Sequence, residues 1–122
     1  MRLLLRAVTL MTACGLWACG SPVQDCADVF IPAVTVTVVN PQGFTLLDAR
    51  VYYSVDGGPV NPAVCNDTLV TGCETWLTPD QPGDYLVRAT SKDGARSVEQ
   101  RVMVEADGCH ARGQSLRLTL PD

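Results

Sequence analysis

An all-β fold, a small antiparallel β-sandwich of about seven strands, is what this sequence predicts, and three observations carry the prediction. Apolar and polar residues alternate with period two through most of the chain beyond Ser21. Clusters of Gly, Pro, Asn and Asp interrupt the alternation roughly every ten residues, the spacing of short strands joined by turns. No stretch beyond Ser21 carries an amphipathic helical period of useful length.

Taken in order, Val34, Val36 and Val38 alternate with Thr35 and Thr37 as in a half-buried strand, and Asn40-Pro41-Gln42-Gly43 ends it. Ala49, Val51, Tyr53 and Val55 then face one way, with Arg50, Tyr52 and Ser54 facing the other. Asp56-Gly57-Gly58-Pro59 stops that strand, because its glycines take positive φ at little cost. Val60, Ala63 and Val64 predict a short strand, and Glu74 to Thr78 another. Pro79-Asp80-Gln81-Pro82-Gly83 is the strongest turn signal. Next, Tyr85, Val87 and Ala89 alternate with Leu86, Arg88 and Thr90, and Ser91-Lys92-Asp93-Gly94 predicts a tight hairpin. The returning strand turns Val98, Val102 and Val104 inward against Glu99, Arg101 and Glu105. Leu116, Leu118 and Leu120 close the set, alternating with Ser115, Arg117 and Thr119.

The chain has 122 residues, 47% of them hydrophobic, which suits one modest domain and argues against wholesale disorder. With 13 Asp+Glu against 9 Lys+Arg, the net charge is −4. Nucleic acid is therefore not an expected partner, because phosphate binding needs concentrated Lys and Arg. Six cysteines in so short a chain point to an oxidising compartment or a metal site.

Residues 1–18 read as a signal peptide. Arg2 and Arg6 give a positive start, Ala7 to Trp17 is uncharged and mostly apolar, and the small Ala18 precedes Cys19. The apolar run is too short for a membrane span, which takes about 20 residues. Leu16-Trp17-Ala18-Cys19 resembles the lipobox of bacterial lipoproteins, although Trp17 is bulkier than the residue usual there. That resemblance implies that Cys19 receives a diacylglycerol, that cleavage occurs just before it, and that the new amino terminus is acylated. Cys14 is a weaker competitor, since it would leave too short an apolar run. The alternative is an ordinary signal peptide that leaves Cys19 free. Gly20 and Ser21 supply no inner-membrane retention Asp, so the resemblance implies the outer membrane of a bacterial envelope, reached through the lipid. Residues 19–32 then form the lipid anchor and tether, and residues 33–122 the sandwich. Loss of Arg2 and Arg6 leaves 7 Lys+Arg against 13 Asp+Glu, a net −6.

Val-Thr-Val-Val-Asn40-Pro41-Gln42-Gly43, Asp48-Ala49-Arg50-Val51-Tyr52 and Pro82-Gly83-Asp84-Tyr85-Leu86-Val87-Arg88-Ala89 resemble the immunoglobulin-like and carboxypeptidase-regulatory-like (transthyretin-related) sandwich modules of bacterial envelope proteins. In these families a Gly-x-Tyr-x-Val segment opens a core strand, and Gly83, Tyr85 and Val87 supply it here. The resemblance implies an adhesive, spacer or carbohydrate-contacting module without catalytic residues or a cofactor.

With Cys14 removed and Cys19 lipidated, four cysteines remain, and an even number in an exported domain implies two disulfides. Cys65 and Cys73 flank a polar loop and suit a local bridge, while Cys26–Cys109 would clamp the first strand to the last. A metal site from Cys65, Cys73, Cys109 and His110 has suitable donors, but no Cys-x2-Cys pair gives the usual zinc spacing. His110 is the single histidine, and its place beside Cys109 suits a local hydrogen bond better than catalysis. No nucleophile elbow, zinc-protease motif or phosphate loop occurs. Trp76, Tyr52 and Tyr53 are the candidates for ligand contact: Trp76 follows Cys73 closely enough to pack over its disulfide instead, and Tyr52 shares its strand face with Arg50. The sequence therefore predicts a non-enzymatic, lipid-anchored binding or structural module whose partner is an envelope protein or a glycan. A carbohydrate-binding module is the second reading.

Overall fold

Alternation along the chain becomes alternation in space. The structure, a computed structural model, describes residues 29–66 and 71–122. The expected signal segment, Cys19 and Cys26 lie outside those residues. Among the described residues there is no helix, and ten strands follow one another. They are β1 (Val34–Val39), β2 (Arg50–Val55), β3 (Asn61–Pro62), β4 (Val64–Cys65), β5 (Trp76–Leu77), β6 (Gly83–Thr90), β7 (Ser97–Val104), β8 (Ala106–Asp107), β9 (His110–Ala111) and β10 (Gln114–Thr119).

Two four-stranded sheets form the sandwich, in the orders β10-β1-β5-β4 and β3-β2-β6-β7, with β8 and β9 paired apart as a small hairpin. The pairings are antiparallel except one: β1 runs parallel to β10, in register from Val34 opposite Gln114 to Val39 opposite Thr119. Both sheets feed a single core. Val34, Val36 and Val38 come from β1, Leu116 and Leu118 from β10, Val51 from β2, Tyr85, Val87 and Ala89 from β6, and Val104 from β7. These are the inward positions expected from period two, and each buried Val or Leu contributes about 1.5–3 kcal/mol relative to exposure.

The middle of the chain departs from the single short strand expected at Val60 to Val64. Only Ala63 is buried there, whereas Val60 and Val64 are 71% and 67% exposed. The reason is a crossover. β3 pairs with β2 in one sheet and β4 with β5 in the other, so the chain changes sheets at Ala63, whose N–H donates to the Val51 carbonyl. Pro62 lacks an N–H and sits on the outer strand β3, where no ladder bond is lost.

The turns fix which end is which. The chain leads in at Ile31–Ala33, and the same end of the sandwich carries the Asp56–Pro59 turn, the Pro79–Gly83 turn and the β8–β9 hairpin. At the opposite end lie the Asn40–Asp48 segment, the loop closed by Cys65 and Cys73, the Ser91–Arg96 hairpin and the end of β10. Asp56 and Gly57 both have positive φ, 53° and 74°, the pair a type I′ turn demands. Tyr85 is fully buried, and its hydroxyl donates to the Gln81 carbonyl at 2.7 Å, which ties β6 to the preceding turn in the manner of a tyrosine corner.

Candidate functional site

Four features on this frame have chemistry to offer: a groove on the outer face of the second sheet, a hollow beside the disulfide, a hollow at the Ser91–Arg96 hairpin, and a carboxylate–imidazole pair at the lead-in end.

The groove is centred on Tyr52. Because β2 and β6 are antiparallel with Tyr52 directly opposite Arg88, and β7 sets Glu99 opposite Arg88 in turn, three strands place an aromatic ring, a cation and an anion in one row. Tyr53, Ser54, Val60, Leu86 and Thr90 complete the lining of a cavity of about 310 Å³. Arg88 and Glu99 are paired at 3.8 Å with both side chains about half exposed, a weak contact that a ligand can compete with. Ser54 points outward yet is buried, because the groove's side chains cover it. The expected neighbour of Tyr52 was Arg50 on the same strand. Arg50 lines the second hollow instead, and the cation at Tyr52 is the cross-strand Arg88. Register across strands outweighs spacing along one strand.

The second hollow, about 440 Å³, is lined by Leu47, Asp48, Arg50, Lys92, Trp76 and the Cys65–Cys73 pair among others. Cys65 and Cys73 form the expected disulfide, with Cα atoms 5.8 Å apart. Trp76 pairs in register with Cys65 on one side and Val36 on the other, and it packs half-buried against the core. Its Nε1 is buried without a hydrogen-bond partner. Trp76 thus packs against the core from β5, an inner strand, and like Tyr52 it stays partly exposed and lines a hollow. Tyr52 and Trp76, grouped by the sequence, line separate cavities.

At the Ser91–Arg96 hairpin the buried Ser91 hydroxyl donates to Asp93 Oδ1 at 2.6 Å and accepts the Arg96 N–H at 3.1 Å. Those contacts, with the Ala95 N–H on the same Asp93 oxygen, hold the Asp93 carboxyl below its ordinary range and commit the hydroxyl to the turn.

His110, expected to bond locally, also reaches far along the chain. It sits on β9, and its Nδ1 lies 2.5 Å from Asp80 Oδ2, a residue 30 positions earlier in the chain. The same carboxylate accepts the Ala111 N–H at 2.7 Å and the Ile31 N–H at 3.2 Å. The Ala111 bond does most to hold the Asp80 carboxyl below its ordinary range, with His110 and Ile31 adding to it against the opposing effect of burial. One side chain therefore clips together the lead-in segment, the Pro79–Gly83 turn and the β8–β9 hairpin. Backbone amides occupy both Asp80 oxygens, so the pair works as a clip and its geometry is structural. Cys109 sits at the tip of that hairpin and is disulfide-bonded; its expected partner Cys26 lies outside the described residues. Among the described residues no group of three His, Cys, Asp or Glu side chains could hold a metal ion. No family model matches the chain, and no curated protein or solved structure matches it either.

Sequence reasoning missed the Asp80–His110 clip and the Arg88–Glu99 flank of the groove. The one available signal for the clip was a carboxylate in a Pro-rich turn and a single histidine in the chain, with nothing local to join them.

Proposed function

We propose that this chain is a non-enzymatic, lipid-anchored lipoprotein of the bacterial envelope that uses its sandwich as a binding module. The observation that carries the binding role is the Tyr52 groove, where an aromatic ring, apolar walls and a loosely held Arg88–Glu99 pair converge on the outside of a rigid sheet. The anchor rests on the lipobox-like Leu16-Trp17-Ala18-Cys19. Of the two sandwich types, the transthyretin-related one is the reading we favour, and it is supported by β1 and β2 belonging to opposite sheets, whereas in the immunoglobulin order the first two strands are neighbours in one sheet. Outer-membrane residence follows from the lipobox and the lack of a retention Asp.

Two experiments separate the parts of this reading. Metabolic labelling with an alkyne fatty acid should mark the wild type and not Cys19→Ala; equal labelling of both removes the anchor. Affinity capture from envelope extracts, compared between wild type and Tyr52→Ala, tests the groove; identical capture by both removes it as the binding surface.

The second reading, a carbohydrate-binding module, is favoured by the composition of this same groove. Tyr52 offers a ring face to a sugar's C–H surface, and Ser54, Thr90, Arg88 and Glu99 offer hydrogen-bonding groups around it. The contact residue in this groove is then Tyr52, whereas Trp76 lines the separate hollow beside the disulfide. A glycan array on which Tyr52→Ala loses a signal that Trp76→Phe keeps would establish it, and a blank array for the wild type would end it.

A further inference from the structure

β7, Ser97–Val104, is the outer strand of the second sheet and pairs with β6 along all 8 residues in unbroken register. Among the described residues β6 is its one hydrogen-bonded neighbour. An edge this long, without Pro or bulge, is a template for pairing with another chain, and proteins usually blunt such edges with charge. The charges on β7 are of opposite sign and symmetric: Glu99 and Arg101 flank Gln100. Such a pattern is complementary to its own copy run antiparallel.

We propose that β7 is a homodimerisation edge, with two copies pairing antiparallel about a two-fold axis through Gln100. The two second sheets then become one continuous sheet. In this register Glu99 stands opposite Arg101 of the partner subunit and Val98 opposite Val102 of the partner subunit, each contact made twice by symmetry.

Gln100 itself supports the choice of axis. Period two assigns it to the inward set with Val98, Val102 and Val104, and it stands across from the buried Val87, yet it is exposed. An uncovered inward position marks where the core beneath β7 ends. β10, the edge of the other sheet, lies alongside β7 at that side. A carboxamide on a two-fold axis complements itself, since each carries both the donors and the acceptor the other needs.

Contacts within one chain leave room for this pairing. Glu99 reaches Arg88 only at 3.8 Å, longer than a charge-assisted hydrogen bond, and Arg101 holds Asp84 at 3.1 Å through one nitrogen of its guanidinium. Glu99 also lines the Tyr52 groove, so Arg101 of the partner subunit joins that groove's rim. Antiparallel pairing sends the two lead-in segments to opposite ends of the pair.

The test is Gln100→Cys in the full chain under oxidising conditions, with the wild type as background. Across the axis the paired Cα atoms would stand about 4.5–5.5 Å apart, inside disulfide reach. Met103→Cys is the matched control, because its two copies would be about 20 Å apart along the paired strands. Gln100→Cys should give a reducible species of twice the mass, and Met103→Cys none. Adding Arg101→Glu should lower that cross-linking roughly tenfold, through like charges set directly opposite, and adding Glu99→Arg as well should restore it. A Gln100→Cys chain that stays monomeric, equal cross-linking by the two cysteines, or indifference to charge reversal overturns the proposal.

Discussion

Tyr85→Phe removes a single oxygen from the largest fully buried side chain of the sandwich. The ring is fully buried, 6.0 Å from the Tyr53 ring centroid, and its hydroxyl donates to the Gln81 carbonyl at 2.7 Å. Phe keeps the ring and its packing, so the measured change isolates that hydrogen bond. Gln81 is exposed, so its carbonyl regains water when the hydroxyl goes. The cost should therefore sit near the ordinary net value of about 1 kcal/mol, below the range for an orphaned buried acceptor. In a domain of this size that is roughly 4–8 °C in Tm. Tyr85→Ala, which also opens a cavity, should cost about 3–5 kcal/mol. Urea unfolding of the full chain, disulfides intact and followed by circular dichroism, reads both. Burial pushes the Tyr85 phenol above 10.0, its ordinary value. Its neutral form thus stabilises the fold below that pH, and the contribution is lost as pH rises through the raised folded value. Wild type should accordingly lose stability relative to Tyr85→Phe above about pH 10 and hold a constant advantage below it. A Tyr85→Phe chain as stable as wild type, with an identical alkaline limb, would refute the assigned corner.

The remaining predictions concern the clip, the far-end loop and the disulfide. Because contacts hold the Asp80 carboxyl below 3.8, its contribution is present above that pH and disappears as pH falls through the depressed value. Wild type should outlast Asp80→Asn in thermal scans at neutral pH, and the gap should close on acidification. Gly72→Ala should destabilise by about 2 kcal/mol or more, because φ is 153° and a Cβ there would lie 2.3 Å from the Leu47 carbonyl oxygen, part of the rigid backbone. Denaturant midpoints check this, with Gly94→Ala as a milder comparison, since a Cβ there meets nothing within 4 Å. Replacing both Cys65 and Cys73 by Ala should cost about 2.5 kcal/mol from the short loop they close, measured by the same unfolding curves.

What the sequence made legible was everything that depends on one strand at a time. The inward Val and Leu positions of β1, β6 and β10 are fixed by period two, and each is buried as expected. The Cys65–Cys73 bridge was legible because its loop is short. What failed to show depends on two segments distant in the chain. The switch of sheets at Ala63 turns Val60 and Val64 outward, and nothing in Val60-Asn61-Pro62-Ala63-Val64 states which neighbours each half will find. The expected Cys26–Cys109 clamp already put the first and last strands side by side, but the parallel direction and register of the β1–β10 pair have no local signature. Asp80 and His110 meet because two turns at one end of the sandwich converge.

The groove belongs to the same class, and that explains why Arg50 was expected beside Tyr52 and Arg88 is found there. Along β2 the nearest cation to Tyr52 is Arg50, whereas across the ladder it is Arg88, and the ladder sets Cβ atoms about 4.5–5.5 Å apart while positions two apart on one strand stand about 7 Å apart. The binding surface of a sandwich is written across its strands. The same rule connects the groove to the open edge: Glu99 closes the row that begins at Tyr52, and it also stands at the margin where a second copy would add its own charge. A change at Glu99 should thus register in both ligand capture and self-association, whereas a change at Tyr52 should register in capture alone.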